Sequence, residues 1–234
     1  MTKIIFADIS GLSEKDFNEL YALADSDRKR KTDLYVFMRD KKLSVMSDLC
    51  LNYLIATEFV YDDRFLCKGY SNNGKPFFLF YPKLHYNISH SVNKCLVGIS
   101  DRADIGLDIE CIAEHDRPDY LKYITGMFRE DELITVEQGE NLLYKSLVLW
   151  TQKEALFKLH GTGILKQILC RPLTKCERRR INSYISDNYI FSVANILEEV
   201  AYWDATKIGV RNMIKYVKDW KESKKSIDYS PSNT

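Results

Sequence analysis

Between residues 104 and 160 the apolar period changes from two to nearly four, and charge keeps to one side in both stretches. In Ile105-Gly106-Leu107-Asp108-Ile109-Glu110, apolar residues alternate with a glycine and two acids. As a strand, this run buries one face and gathers Asp108 and Glu110 on the other. Trp150, Glu154 and Lys158 recur every fourth residue, so on a helix they share one face. The pattern demands a strand over 104–111 and a helix over 140–160, the latter ended by Gly161 and Gly163. Gly106 lets the backbone of a neighbour approach closely.

The rest of the chain supplies further strands and helices. Residues 3–9 read as a strand, and Ser13-Glu14-Lys15-Asp16 as a capping box that opens a helix. A charged segment, Asp25 to Lys31, follows. A long helix is expected over 41–60, where Leu43, Met46, Cys50, Tyr53, Leu54 and Thr57 hold helical spacing. Asn72-Asn73-Gly74 marks a turn. Residues 77–81 and 94–100 read as strands, 119–126 and 130–138 as helices, and 183–205 as a hairpin turning at Asp187-Asn188. The tail from about Lys221 is expected to be flexible. Pattern alone gives an α+β protein of one or two lobes.

Composition narrows the function classes. With 234 residues, 45% hydrophobic and 29% charged, the chain has an ordinary globular balance. A net charge of +1 argues against field-driven nucleic-acid binding. No run of about 18 apolar residues predicts a membrane span. The start lacks the length of apolar sequence that a signal peptide needs, so a cytoplasmic protein is expected. Six cysteines (Cys50, Cys67, Cys95, Cys111, Cys170 and Cys176) form no Cys-x-x-Cys pair. Those in apolar segments read as small buried hydrophobes in a reducing compartment.

Three acids sharing one site would repel and call for a cation, and oxygen-only ligands favour Mg²⁺ or Mn²⁺ over zinc. The plainer alternative is a solvated strand face plus a Glu154–Lys158 helix pair worth only about 0.3–0.5 kcal/mol. His90 stands between Ser89 and Ser91, a setting that favours a phosphate contact. Lys75 follows Gly74 and precedes Pro76, which places it on a stiff loop. Arg28 to Lys31 reads either as a solvated charge run or as an anion grip.

Four elements appear in order: Gly74-Lys75-Pro76, Asn87-Ile88-Ser89-His90-Ser91, Gly106 to Glu110, and Trp150-Thr151-Gln152-Lys153-Glu154-Ala155-Leu156-Phe157-Lys158. Together they resemble the 4′-phosphopantetheinyl transferases, in the longer type that activates nonribosomal peptide synthetases and similar carrier-protein systems. The resemblance implies two similar α/β lobes related by pseudo-twofold symmetry, residues 1–102 and 103–220, before a flexible tail at 221–234. Coenzyme A would lie in the cleft between the lobes. It implies Mg²⁺ held by Asp108, Glu110 and Glu154, with Glu154 also able to serve as base, directly or through a water. Coenzyme A phosphates would meet Lys75, Ser89, His90, Lys153 and Lys158, and Arg28 and Lys31 would hold the 3′-phosphate. The family usually carries an arginine before the next helix, where this chain has Lys41, Lys42 and Leu43. The implied partner is an apo carrier protein, met by a monomer, with basic clusters such as Lys41-Lys42 and Arg178 to Arg180 facing its acidic helix. The alternatives are a non-catalytic coenzyme A- or carrier-binding module, or a metal-dependent phosphodiesterase.

Overall fold

The computed structural model describes residues 1–59, 66–137, 141–161, 171–195, 201–204 and 209–225. It is a mixed α/β fold in which two sheets lie face to face between helices. The first sheet holds strands β1 (Thr2–Asp8), β4 (His85–Ser91), β5 (Lys94–Ser100) and β9 (Ala201–Asp204), in the order β4-β5-β1-β9. The second holds β6 (Ile105–Cys111), β7 (Ile181–Ser186) and β8 (Tyr189–Asn195), in the order β6-β8-β7. A small hairpin, β2 (Lys68–Tyr70) and β3 (Pro76–Phe78), turns through Gly74, whose φ of 80° suits glycine.

Period-two alternation explains the layering. On β1 and β5, Ile5, Ala7, Val97 and Ile99 join a core with the 21-residue helix α3 (Met38–Glu58), while Ile4, Phe6 and Leu96 point the other way. Those three meet Leu107, Ile109, Phe191 and Val193 of the second sheet. Ile190 and Ala194, on the far side of β8, join the core that includes Leu147, Ala155 and Leu156 of α7 (Leu142–His160). Every residue of β8 is buried, as befits a strand covered on both faces. Each fully buried Ile, Leu or Phe contributes about 1.5–3 kcal/mol, so this double layer is a large part of what holds the halves together.

Local signals in the sequence set several boundaries. Helix α1 (Glu14–Leu23) opens on the expected capping box: Ser13 Oγ accepts from Asp16 N at 3.1 Å, and Asp16 accepts from Ser13 N at 3.2 Å. Helix α7 ends at Gly161, left-handed at φ 57°, whose N–H donates to Phe157 O. Shorter helices lie between β6 and α7: α4 (Ile112–His115), α5 (Pro118–Thr125) and α6 (Glu130–Glu137). A one-turn helix, α8 (Lys175–Arg178), precedes β7.

The charged segment gains a structure, and two expectations need correction. The charged segment forms helix α2 (Ser26–Asp33), capped by Asp25 Oδ1 on Arg28 N at 2.7 Å. The hairpin at Asp187-Asn188 ends at Asn195; residues 201–204 instead form β9, parallel to β1. Residues 221–225, expected to be flexible, complete helix α9 (Val210–Lys225), and 226–234 lie outside the described residues, as do Gly163 and Cys170. Met213, Ile214 and Val217 of α9 pack into the α3 core, so the chain returns to its first half and crosses a boundary drawn at 102/103. Cys50, Cys95 and Cys111 are buried and unpaired, as their apolar settings suggested.

Candidate active site

The site forms where β4, the edge of one sheet, meets β6, the edge of the other. Asn87, Ser89 and Ser91 alternate along β4 and all reach β6. Asn87 Oδ1 accepts from Leu107 N at 3.1 Å, and Ser91 Oγ accepts from Cys111 N at 3.1 Å. Ser89 Oγ donates to Asp108 Oδ1 at 3.0 Å, and Ser91 Oγ to Glu110 Oε2 at 3.1 Å. These side chains satisfy edge amides that a further strand would otherwise pair. Asn-x-Ser-x-Ser is therefore a polar seam between the sheets. Ile88 and His90 point to the opposite face and line a cleft.

Gly106 lets helix α7 settle onto β6. A Cβ there would lie 1.9 Å from Ala155 O and 2.4 Å from Leu159 N, so any side chain would push the helix away. This contact brings Glu154 and Lys158 over the carboxylate face of β6. Lys158 Nζ donates to Asp108 Oδ1 at 2.8 Å and to Ser89 Oγ at 2.9 Å. Glu110 is also held by His115, with Nε2 and Oε2 2.8 Å apart, and the His115 ring stacks on Tyr120 with centroids 3.8 Å apart.

The acids carry more negative charge than their surroundings neutralise. Burial first, then Glu110, push the Asp108 pKa up to about 6 against the pull of Lys158. Burial, Asp108 and Glu110 push Glu154 up to about 7, again opposed by Lys158. Asp108 Oδ2 is buried without a hydrogen-bond partner. An orphaned buried oxygen, oxygen-only donors and mutual repulsion fit a hard divalent cation. As the side chains stand, no three His, Cys, Asp or Glu among the described residues converge closely enough to hold a metal. The expected triad shares one side of the β6–α7 junction but is not a closed ligand set.

Beyond Lys158 the cleft opens to about 300 Å³. Arg28, Lys31, Lys75, His90 and Lys158 line it, together with Tyr35, Tyr70, Asn73 and Phe157. The aromatic and Asn73 contributions were not anticipated, and no spacing in the sequence pointed to them. Lys75 is held by Asp104 at 2.9 Å and by Leu159 O at 2.5 Å, and its stem rests against Gly161. Desolvation in the cleft and the Lys158 ammonium lower the His90 pKa, so its ring is neutral at pH 7 and meets an anion by hydrogen bonding.

Lys153 is the site residue that the structure does not bring here. Its ammonium is fully buried, 2.6 Å from Glu132 Oε2 and 2.9 Å from Arg171 O. Adjacent helical residues point about 100° apart, so Lys153 and Glu154 cannot share a face. Of the basic clusters, Lys42 is tied to Leu12 O at 2.5 Å, whereas Arg178 to Arg180 are exposed. Among the described residues no helix is long and apolar enough to cross a membrane.

The comparisons with known proteins converge on this half of the molecule. Residues 104–199 match the family model of the 4′-phosphopantetheinyl transferase superfamily. The slr0495 protein of Synechocystis sp., provisionally named a 4′-phosphopantetheinyl transferase, is 30% identical over 147 residues, 61% of this chain and 59% of its own length. The 4′-phosphopantetheinyl transferase psf-1 of Bacillus pumilus is 24% identical over 65% of this chain and 64% of its own length. The 4′-phosphopantetheinyl transferase Sfp of Bacillus subtilis is 24% identical over 65% of this chain and 67% of its own length. The chain thus spans less than two thirds of the length of the first two relatives. The site-bearing stretch from β6 through α7 to β8 is thus the part of the chain that is similar to the 4′-phosphopantetheinyl transferase superfamily.

Proposed function

We propose that this protein transfers the 4′-phosphopantetheine arm of coenzyme A to a serine of an apo carrier protein and releases adenosine 3′,5′-bisphosphate. The observation that carries this reading is the junction of a cation-lined cleft with an under-neutralised carboxylate cluster, both gripped by Lys158. The cations suit a ligand with several phosphates. The acids suit the reacting end, where a metal and a proton acceptor are needed.

Asp108, through its orphaned Oδ2, together with Glu110 and Glu154, would hold Mg²⁺ or Mn²⁺. Such an ion, when bound, neutralises charge developing on the pyrophosphate leaving oxygen. Lys158 and His90 bind non-bridging phosphate oxygens, and Lys75 steadies the cleft wall at the C-terminal end of α7. The serine oxygen attacks the β-phosphorus, a P–O bond forms, and the bond to the α-phosphate oxygen breaks. Glu154, which has no hydrogen-bond or ion-pair partner among the described residues and a raised pKa, takes the serine proton directly or through a water. Ser89 keeps Asp108 and Lys158 in register.

The two sheet-and-helix halves are also read as lobes related by pseudo-twofold symmetry, and the protein as a cytoplasmic monomer; unpaired cysteines suit a reducing compartment. Incubation with coenzyme A, Mg²⁺ and an apo carrier protein, followed by mass measurement of the carrier, tests the function. A gain of one phosphopantetheine arm is expected. Coenzyme A cleaved with the carrier unmodified would make the protein a phosphodiesterase. Binding of coenzyme A without cleavage would leave a binding module.

A further inference from the structure

At the end of the cleft away from Glu154, the cation Arg28 has its own support. Arg28 is 8% exposed, and its Nε donates to Asp48 Oδ1 at 3.3 Å. Its two terminal nitrogens have no hydrogen-bond or ion-pair partner among the described residues, and the side chain lines the cleft. Asp48 is 2% exposed on α3. It is gripped more closely from the other side by Lys68 of β2, whose Nζ lies 2.6 Å from Asp48 Oδ1 and 2.8 Å from Asp25 Oδ2. Asn52 Nδ2 donates to the remaining Asp48 oxygen at 3.0 Å. Lys68 does not line the cleft; it faces a separate surface depression beside Asp25 and Asn52.

This arrangement has an electrostatic consequence. Asp48 facing Arg28 alone would form a neutral pair and draw the guanidinium back from the cleft. Lys68, shared between Asp25 and Asp48, takes up part of the Asp48 charge, so Arg28 is oriented by one nitrogen and keeps its two terminal nitrogens for the cleft. Burial would raise the Asp48 pKa, but Lys68 and Arg28 outweigh it and hold the carboxyl below its usual range. Lys31, beside Arg28 and exposed, has no ion-pair partner among the described residues. Desolvation by the cleft walls lowers its pKa, and repulsion from Arg28 and then Lys68 lowers it further. On the cleft side, the two terminal nitrogens of Arg28 and the Lys31 ammonium have no acid partner among the described residues, which suits a doubly charged anion.

We propose that Lys68 and Asp48 are positioning residues that aim Arg28 at the phosphate monoester on the nucleoside end of coenzyme A and so set the preference for that phosphate. The proposal rests on the coenzyme A reading above. Neither residue touches the ligand. They act by fixing the direction and the available charge of the guanidinium, an effect that neither motif spacing nor composition reveals.

The test measures KM for coenzyme A and for 3′-dephospho-coenzyme A, with carrier and Mg²⁺ saturating, and direct binding of both compounds by calorimetry. Lys68→Met should raise KM and Kd for coenzyme A about tenfold and change those for 3′-dephospho-coenzyme A less than about twofold. Lys68→Arg, which keeps the charge, should restore most of the preference. Because Lys68→Met leaves buried Asp48 with one counter-ion fewer, the double variant Lys68→Met, Asp48→Leu provides a charge-balanced control without an acceptor for Arg28. It should fold and still lack the preference, since nothing then aims Arg28. Equal losses for both compounds in Lys68→Met, or a native preference in the double variant, would overturn the positioning role while leaving coenzyme A as the substrate. A native protein that binds neither compound would overturn both the role and the coenzyme A reading.

Discussion

Two of the buried clusters of charge, one at each long helix, have opposite characters. At Asp48, on α3, burial is answered by Lys68 and Arg28, and the carboxyl is held below its usual pKa. At Asp108, beneath α7, burial is answered by one cation, Lys158, while Glu110 adds repulsion, and the carboxyl is pushed up to about 6. Both aspartates are almost inaccessible, at 2% and 4% exposure. Depth of burial therefore does not decide the sign of the shift; the count of neighbouring charges does. The first cluster is internally balanced and serves as scaffold. The second is short of positive charge, which is expected where a cation and a reacting phosphate are to be received.

The largest test of this contrast concerns a third pair, Lys153 and Glu132, which belongs with the balanced class. Lys153→Met leaves Glu132 buried and unpaired, so it should destabilise the protein by about 3–5 kcal/mol in denaturant unfolding. The protein that remains folded should keep its KM for coenzyme A. A substantial rise in that KM with unchanged stability would return Lys153 to the phosphate site.

Breaking the unbalanced cluster should have the reverse signature. Asp108→Ala and Glu154→Ala should each lower turnover at least about a hundredfold, through lost charge stabilisation and orientation. Glu154→Gln should meanwhile raise the Tm of the ion-free protein, because it removes repulsion. A Glu154→Gln variant that is both less stable and fully active would place Glu154 outside the chemistry.

Lys158→Met should act more mildly on binding and more plainly on charge. It removes the counter-ion of Asp108, so KM for coenzyme A should rise about tenfold. The Asp108 pKa should move further upward, readable by carbon-detected NMR of the carboxyl. An unmoved Asp108 would mean that solvent, not Lys158, sets its charge.

The smallest expected effect is a pH-dependent thermal shift. The folded pKa values of Asp108 and Glu154, about 6 and about 7, lie above ordinary carboxylate values. Each group therefore disfavours the folded state once ionised. Their contribution to stability falls as pH rises from about 4 towards 7 and stays low above that. Added Mg²⁺ should raise Tm by a few degrees at pH 8 and by less at pH 5.5, where protons compete for the same oxygens. Equal shifts at both pH values would indicate a cation bound elsewhere.

Much of this protein is written in local pattern. The alternation of Ile105 to Glu110 set strand β6 and the side on which its acids stand. The fourfold spacing of Trp150, Glu154 and Lys158 set the face of α7, and Gly106 foretold the close approach of the two. Ser13 to Asp16 and Gly161 marked helix ends because capping is decided within a few residues. Strand β9 was not legible, since its pairing partner lies nearly two hundred residues away on β1, and α2 was hidden by a run of charge without an apolar stripe. Lys153 was misplaced because motif membership says nothing of direction around a helix. The pairing of Asp48 with Lys68 and Arg28, and the lack of any such partner for Asp108 Oδ2, depend on which segments are brought side by side. By itself the sequence determined which groups the protein possesses and which local face each one occupies. The tertiary structure decided which charges are balanced, because electrostatic neighbours are set by distance in space and not along the chain.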